Sequence, residues 1–150
     1  MRNKIPPPIV AIIAALLMLG VSMIFPEAVF SLPYVNVFGS IFMALSIAIM
    51  TAGILEFRRA STTINPLIPD SASELVSTGI FHYSRNPMYL GMVGILTGIF
   101  FYLSNFASAL IIPIFISFIY QYQIKPEEEA MKKLFSSSFE DYCHNVRRWV

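Results

Sequence analysis

Two polar clusters in an otherwise apolar chain carry side chains that could do chemistry. The first lies in residues 77–91, STGIFHYSRNPMYLG, and holds His82, Tyr83, Arg85, Asn86 and Tyr89 where a polar loop meets an apolar segment. The second is Glu127, Glu128 and Glu129, just past the end of a later apolar segment. Asn86-Pro87 reads as a helix start. Asparagine accepts a hydrogen bond from an unpaired backbone N–H at the N-cap, and proline loses nothing at the first helical position. Arg85 and Asn86 then sit at the positive end of a helix dipole, which attracts anionic groups. A carboxylate cluster does the reverse and holds an ammonium or a sulfonium. Brought together, the two clusters would frame a zwitterion. A plain membrane helix, capped by Asn86 and anchored at the headgroups by Arg85, also accounts for the first cluster.

The elements that must position these residues are apolar helices. The chain has 150 residues, of which 56% are hydrophobic and 13% charged. A soluble domain carries about 25% charged residues, so the composition is that of an integral membrane protein. We read residues 1–150 as a single helical bundle, all-α, with four transmembrane helices, a cytosolic loop and an amphipathic C-terminal tail. A net charge of +1 argues against a nucleic-acid partner. The single cysteine, Cys143, rules out an internal disulfide framework, and no Cys/His spacing points to a metal site. The basic start and apolar run at the N-terminus resemble a signal peptide. The run reaches Phe25 without a small-residue cleavage site, so it is read as a retained first span.

Apolar runs place the spans at about residues 8–25, 37–57, 87–103 and 107–123, with a tail over 124–150. The polar segment 58–86 contains Ser71-x-x-Glu74, a capping box that predicts a short surface helix over 71–77. Ser104-Asn105 leaves room only for a turn, which makes the third and fourth spans a tight antiparallel hairpin. Pro113 predicts a kink in the fourth. With four crossings every Lys and Arg falls on one side: Arg2 and Lys4, then Arg58, Arg59 and Arg85, then Lys125, Lys132, Lys133, Arg147 and Arg148. The positive-inside rule then puts both termini in the cytoplasm, with the chain in the plasma or inner membrane.

Pro126 followed by three glutamates reads as another helix start. Met131, Leu134, Phe135, Phe139, Tyr142, Val146 and Trp149 recur at helical spacing, with a break expected at residues 136–138 and a possible cap at Ser137-x-x-Glu140. This predicts a pair of amphipathic helices on the membrane, with Arg147, Arg148 and Trp149 at the headgroups. The hairpin brings both polar clusters to one membrane face. Gly91, Gly94 and Gly98 share one side of the third span, where they permit close helix packing or a flat ligand.

Three separated motifs, in this order, carry a resemblance. They are Glu74-Leu75-Val76 through Gly79, then Ser84-Arg85-Asn86-Pro87-Met88-Tyr89-Leu90-Gly91, then Pro126-Glu127-Glu128 with Leu134-Phe135-x3-Phe139-x2-Tyr142. Over residues 65–149 the chain resembles the isoprenylcysteine carboxyl methyltransferase family, whose layout the phospholipid N-methyltransferases share. Eukaryotic members read Arg-His-Pro-x-Tyr where this chain has Arg85-Asn86-Pro87-Met88-Tyr89. The resemblance implies an S-adenosyl-L-methionine site. Ser73, Glu74, Leu75 and Val76 would line the cofactor from the loop, and Phe81 would pack on adenine. Asn86, Pro87, Met88 and Tyr89 would contact the methionine part and the ribose, and Glu127 would take the amino group beside Glu128. Gln123 stands where the prenylcysteine enzymes place a substrate-binding arginine.

Methyl transfer from a sulfonium is an in-line displacement, so the protein mainly positions the reactants and excludes water. An amine acceptor would need deprotonation, with Glu128 or His82 as candidate bases, and Arg85 is the candidate for an anionic acceptor. The expected acceptor is lipophilic and enters from the bilayer: an isoprenylcysteine carboxylate, or a small lipophilic acid or thiol. The alternatives are a phospholipid amine, an NADPH-dependent reductase of the sterol-reductase type, and a non-catalytic membrane scaffold.

Overall fold

The computed structural model describes residues 5–60 and 74–150. Among the described residues six α-helices follow in order: α1 (Pro7–Ile24), α2 (Val35–Arg59), α3 (Pro87–Leu103), α4 (Phe106–Ala109), α5 (Ile111–Ile119) and α6 (Lys125–Asn145). Among the described residues there is no strand, only an isolated bridge between Val29 and Asn105. Three helical runs are long and apolar enough to cross a membrane: Pro7–Ile24, Val35–Arg59 and Ala107–Asn145. The apolar helix α3 is shorter, with 17 residues. Ile12, Leu16, Leu45, Ile47 and Ile114 stand exposed on the outside. A surface of this kind suits hydrocarbon rather than water.

Local sequence explains most boundaries. Pro7 occupies the first turn of α1, and Pro26 follows its end. Arg58 and Arg59 close α2, where cations complement the helix dipole. Ser104 takes a left-handed conformation (φ 49°) and ends α3. Asn105 then caps α4, its Oδ1 accepting from Ser108 N at 3.2 Å. The predicted kink near Pro113 appears as the interruption between α4 and α5. Proline lacks the N–H that would bond the carbonyl four residues earlier, here that of Ala109. A π-helical turn, Tyr120–Ile124, precedes α6. Such a turn has no clear sequence signal, and it falls just before Pro126, which again withholds a backbone donor.

α3 is central. Tyr89, Met92 and Leu96 on it join Ala14 and Met18 of α1, Phe115 and Ile119 of α5, and Ile124 in one buried cluster. α2 packs along the glycine side of α3. A Cβ at Gly98 would meet Gly39 O at 3.1 Å and the Met43 side chain at 2.8 Å, and Gly91 and Gly94 abut Met50 and Ser46. These glycines therefore serve helix packing and leave no room for a flat ligand.

Two local expectations change. Residues 74–77 are non-helical, and 71–73, with the proposed cap, lie outside the described residues. The tail does break where expected, at Ser136 (φ 43°, ψ −117°). Beyond Asn145, however, it folds back onto the bundle instead of lying outside it. Val146 is buried, and Trp149 packs against the α1/α3/α5 cluster. An indole that can reach a protein core gains more apolar contact there than at a wet interface. The two tail segments are braced by Lys132 and Glu140, 2.8 Å apart on the exposed side of the kink.

Candidate functional site

The loop before α3 is fixed by a buried carboxylate. Glu56, near the end of α2, accepts from Thr78 Oγ1 at 2.9 Å and from Arg59 Nη1 at 2.6 Å. Gly79 adopts φ 57° directly against Glu56, and a Cβ there would lie 2.5 Å from its carboxyl carbon. The left-handed conformation and the contact both require glycine at this point. A short 3₁₀ turn, Gly79–His82, then delivers Phe81 inward, edge-on to Phe57 of α2 at 5.2 Å between ring centroids. Tyr142 donates its hydroxyl to Phe81 O at 2.6 Å and ties the loop to α6.

Between this loop, the start of α3 and the start of α6 lies a cavity of about 330 Å³. Glu74, Leu75, Val76, Phe81, Arg85, Asn86, Pro87, Met88, Tyr89, Glu127 and Glu128 all line it. Every candidate site residue therefore converges here except three. Ser73 lies outside the described residues. Gln123 does not line the cavity; it is 3% exposed, and its Nε2 donates to Ile5 O at 2.8 Å, pinning the N-terminus to the π-helical turn. His82 is also outside the cavity, exposed beside Tyr83.

The two neighbouring carboxylates have different surroundings. Glu128 is held by two guanidiniums. Arg148 donates Nε and Nη2 to its two oxygens at 2.9 and 2.8 Å, and Arg85 Nη2 lies 3.4 Å from Oε1. Such a forked pair is the strong geometry for a carboxylate. Glu127 instead accepts the Tyr89 hydroxyl at 2.5 Å and has no cation of its own among the described residues. Burial pushes its pKa up to about 7; the Tyr89 hydrogen bond lowers it, and the Glu128 charge adds to the rise. One carboxylate is thus neutralised by protein, and the other is left to meet whatever enters the cavity.

Asn86 occupies the N-cap position of α3 with Pro87 behind it, yet its side chain caps nothing. Its Nδ2 donates to Arg148 O at 3.0 Å. The folded-back tail competes for the amide, and the first turn of α3, which lines the cavity at Pro87, Met88 and Tyr89, keeps no side-chain cap. Arg85 N is likewise bonded to Arg147 O at 3.0 Å. The Arg85 guanidinium contacts Cys143 through Nη1, while its Nε is buried with no hydrogen-bond partner among the described residues.

Sequence reasoning missed part of the lining. Pro7 and Pro8 of α1, Met50, Ile54 and Phe57 of α2, and Met131, Phe139 and Tyr142 of α6 complete the walls. The last three belong to the helically spaced apolar stripe of the tail, and these members of it face the cavity. Contributions from α1 and α2 have no local signal, since any apolar helix reads alike. Arg148 reads in sequence as a headgroup anchor, and only the fold-back reveals its carboxylate partner.

The arrangement offers an apolar slot with one uncompensated carboxylate, one buried unpaired guanidinium donor and an uncapped helix start. No curated protein and no solved structure shows significant similarity to the chain. The family model for phospholipid methyltransferase matches residues 34–138, which take in α2, the loop, α3 and the first part of α6. A match over that share of the sequence, joined to the motifs at 84–91 and 126–128, means that this chain belongs to the phospholipid methyltransferase family.

Proposed function

We propose that the protein is an S-adenosyl-L-methionine-dependent methyltransferase that acts at the cytoplasmic face of a membrane on a lipophilic acceptor. The observation that carries this reading is the unequal pair Glu127 and Glu128. Glu127 is the free carboxylate, suited to an ammonium, and Glu128 is already paired. The orphaned Nε of Arg85 and the uncapped start of α3 suit the opposite charge, so the cavity fits the amino and carboxylate ends of an amino acid. Phe81, Val76, Leu75, Met131 and Phe139 supply apolar and aromatic surface of the kind an adenine needs.

When bound, the cofactor supplies a methyl group activated on a sulfonium. The chain's own residues hold the two reactants in line and keep water out. Glu128, locked between Arg85 and Arg148, acts as a structural charge; among the described lining residues this leaves Glu127, committed to the ligand ammonium, and the solvent-exposed Glu74, and favours an acceptor that reacts without losing a proton first. A carboxylate or thiolate on a lipophilic body meets that condition. A phospholipid amine is the second reading, favoured by the family match over residues 34–138. In either case the acceptor would enter through the apolar side of the cavity at Met50, Ile54 and Met92. Four crossings, with both termini and the 58–86 loop in the cytoplasm, complete the proposal, as does a placement in the plasma or inner membrane.

Isothermal titration of the detergent-purified protein with S-adenosylhomocysteine, with NADPH in parallel, tests this. Saturable binding of the former alone is expected. Binding of NADPH alone would move the chain to reductase chemistry, and silence from both in folded protein would leave a scaffold.

A further inference from the structure

The last five residues lie beyond the region that the family model matches, yet they contact residues of the site. Arg148 is held by several partners. Its guanidinium grips both oxygens of Glu128 and lies 5.0 Å from the centre of the Tyr120 ring. Its carbonyl accepts the Asn86 side chain, and the carbonyl of Arg147 accepts Arg85 N. Trp149, next in sequence, is anchored in the central cluster. A flexible terminal arginine paired at the surface would show none of this, and a pair fixed by a planar fork, an aromatic ring and an anchored backbone is a placed charge.

The charge balance around the cavity gives that placement a purpose. The lining carries Glu74, Glu127 and Glu128 against Arg85, and Glu74 is exposed to solvent. Without Arg148 two adjacent carboxylates would face the cavity with one guanidinium between them. With it, Glu128 is paired and Glu127 is the buried carboxylate left without a cation among the described residues. Resting on the cofactor reading given above, we infer that Arg148 is a positioning residue that sets the net charge of the cavity, and so sets how strongly the protein discriminates the cationic methyl donor from its neutral product.

The chemistry of transfer makes this a functional setting. The methyl group leaves sulfur with the bond to carbon re-formed on the acceptor, and the sulfonium becomes a thioether. S-adenosylmethionine carries a net charge of about +1 and S-adenosylhomocysteine about zero at neutral pH. A more negative cavity would hold the cationic donor harder relative to the neutral product; a more positive one would do the reverse. Arg148 holds the balance between capture and release by keeping Glu128 silent.

The test is the ratio of the two dissociation constants, that of S-adenosylhomocysteine divided by that of S-adenosylmethionine. Both are measured by titration of the full chain in detergent, with thermal unfolding to show that each variant is folded. Arg148→Gln removes a positive charge near the site and is expected to raise the ratio about threefold to tenfold. Arg148→Lys, which keeps the charge, should keep the native ratio. Glu128→Gln should move the ratio the opposite way, and the double variant should bring it back toward native. A residue that only braces the tail would weaken both ligands alike and leave the ratio alone. An unchanged ratio in Arg148→Gln and Glu128→Gln, or a shift in the same direction in both, overturns the inference while leaving the cofactor reading intact. If Arg148→Gln does not fold, the direction of the Glu128→Gln shift decides. Failure of the native chain to bind either ligand removes the cofactor reading, and this inference with it.

Discussion

Two asparagines stand at opposite ends of the same helical hairpin, each just before a helix, and they do opposite things. Asn105, between α3 and α4, is 1% exposed and fully used: its Oδ1 caps α4 at Ser108 N, and its Nδ2 donates to Phe25 O at 2.8 Å. Asn86, at the start of α3, has the same sequence signature and no cap; its amide is taken by Arg148 O. The Ser104-Asn105 end is closed, with a bridge to Val29 and phenylalanines in tilted contact, Phe30 against Phe100 and Phe106. The Asn86 end is open, with a cavity and an unpaired guanidinium nitrogen. The difference teaches that a cap residue tells where a helix starts, and that the tertiary neighbours decide whether that start is sealed or offered to a ligand.

The contrast breaks most visibly at the open end. Glu127→Ala should reduce S-adenosylhomocysteine affinity by about 30-fold or more, because a buried ammonium would lose its counter-charge, at about 2 kcal/mol or above. Titration measures the loss, and thermal unfolding should show the variant folded. Retained affinity would remove Glu127 from the site.

The pH dependence sharpens the same point. Burial is the chief cause that pushes the Glu127 pKa up to about 7. A ligand ammonium favours the ionised form, so its binding lowers that value and drives off the proton. Affinity should therefore fall as pH drops below about 7, by at most about tenfold per unit, and level off above it. Glu127→Gln should abolish the dependence; a slope that survives in that variant would assign it to another group.

The paired asparagines give a direct comparison. Asn105→Ala should cost about 2 kcal/mol of stability, since it strips partners from a buried backbone N–H at Ser108 and a part-buried carbonyl at Phe25, and leave ligand affinity unchanged. Asn86→Ala should do the reverse, with an affinity loss of about fivefold and little change in unfolding temperature. Equal effects on stability would erase the distinction between the two ends. The smallest effect is expected from Tyr89→Phe. It removes the hydroxyl that bonds Glu127, with an affinity loss of about threefold. Because that hydrogen bond lowers the Glu127 pKa, the pH midpoint should move upward.

Much of the fold is legible in the residues themselves. Apolar run lengths place α1, α2 and α3 within about two residues of where they lie, and Asn86-Pro87 and Pro126 fall at helix starts as their backbone limits require. The tail break appears at Ser136 as expected. The site was partly legible as well. The motif residues 74–76, 81, 85–89 and 127–128 meet at one cavity, because the turn at Ser104-Asn105 makes the two ends of the hairpin neighbours. What escaped was of two kinds. The walls from Pro7, Pro8, Met50 and Ile54 carry no signal beyond hydrophobicity. Arg148 and Trp149 carry one that reads equally as a membrane anchor, and Gln123, read as a substrate contact, turns to the N-terminal backbone instead.

By itself the sequence determined the class of the chain, its helices and the chemical character of its two polar clusters, because these depend on composition and on short-range backbone rules. Only the tertiary structure decided which of two adjacent glutamates is free, where the Asn86 amide is spent, and that Arg148 pairs with Glu128. Those outcomes turn on which partner lies nearest among several of like chemistry. That is fixed by the folding back of the tail past Ser136 and Asn145, a long-range event with no local rule to announce it.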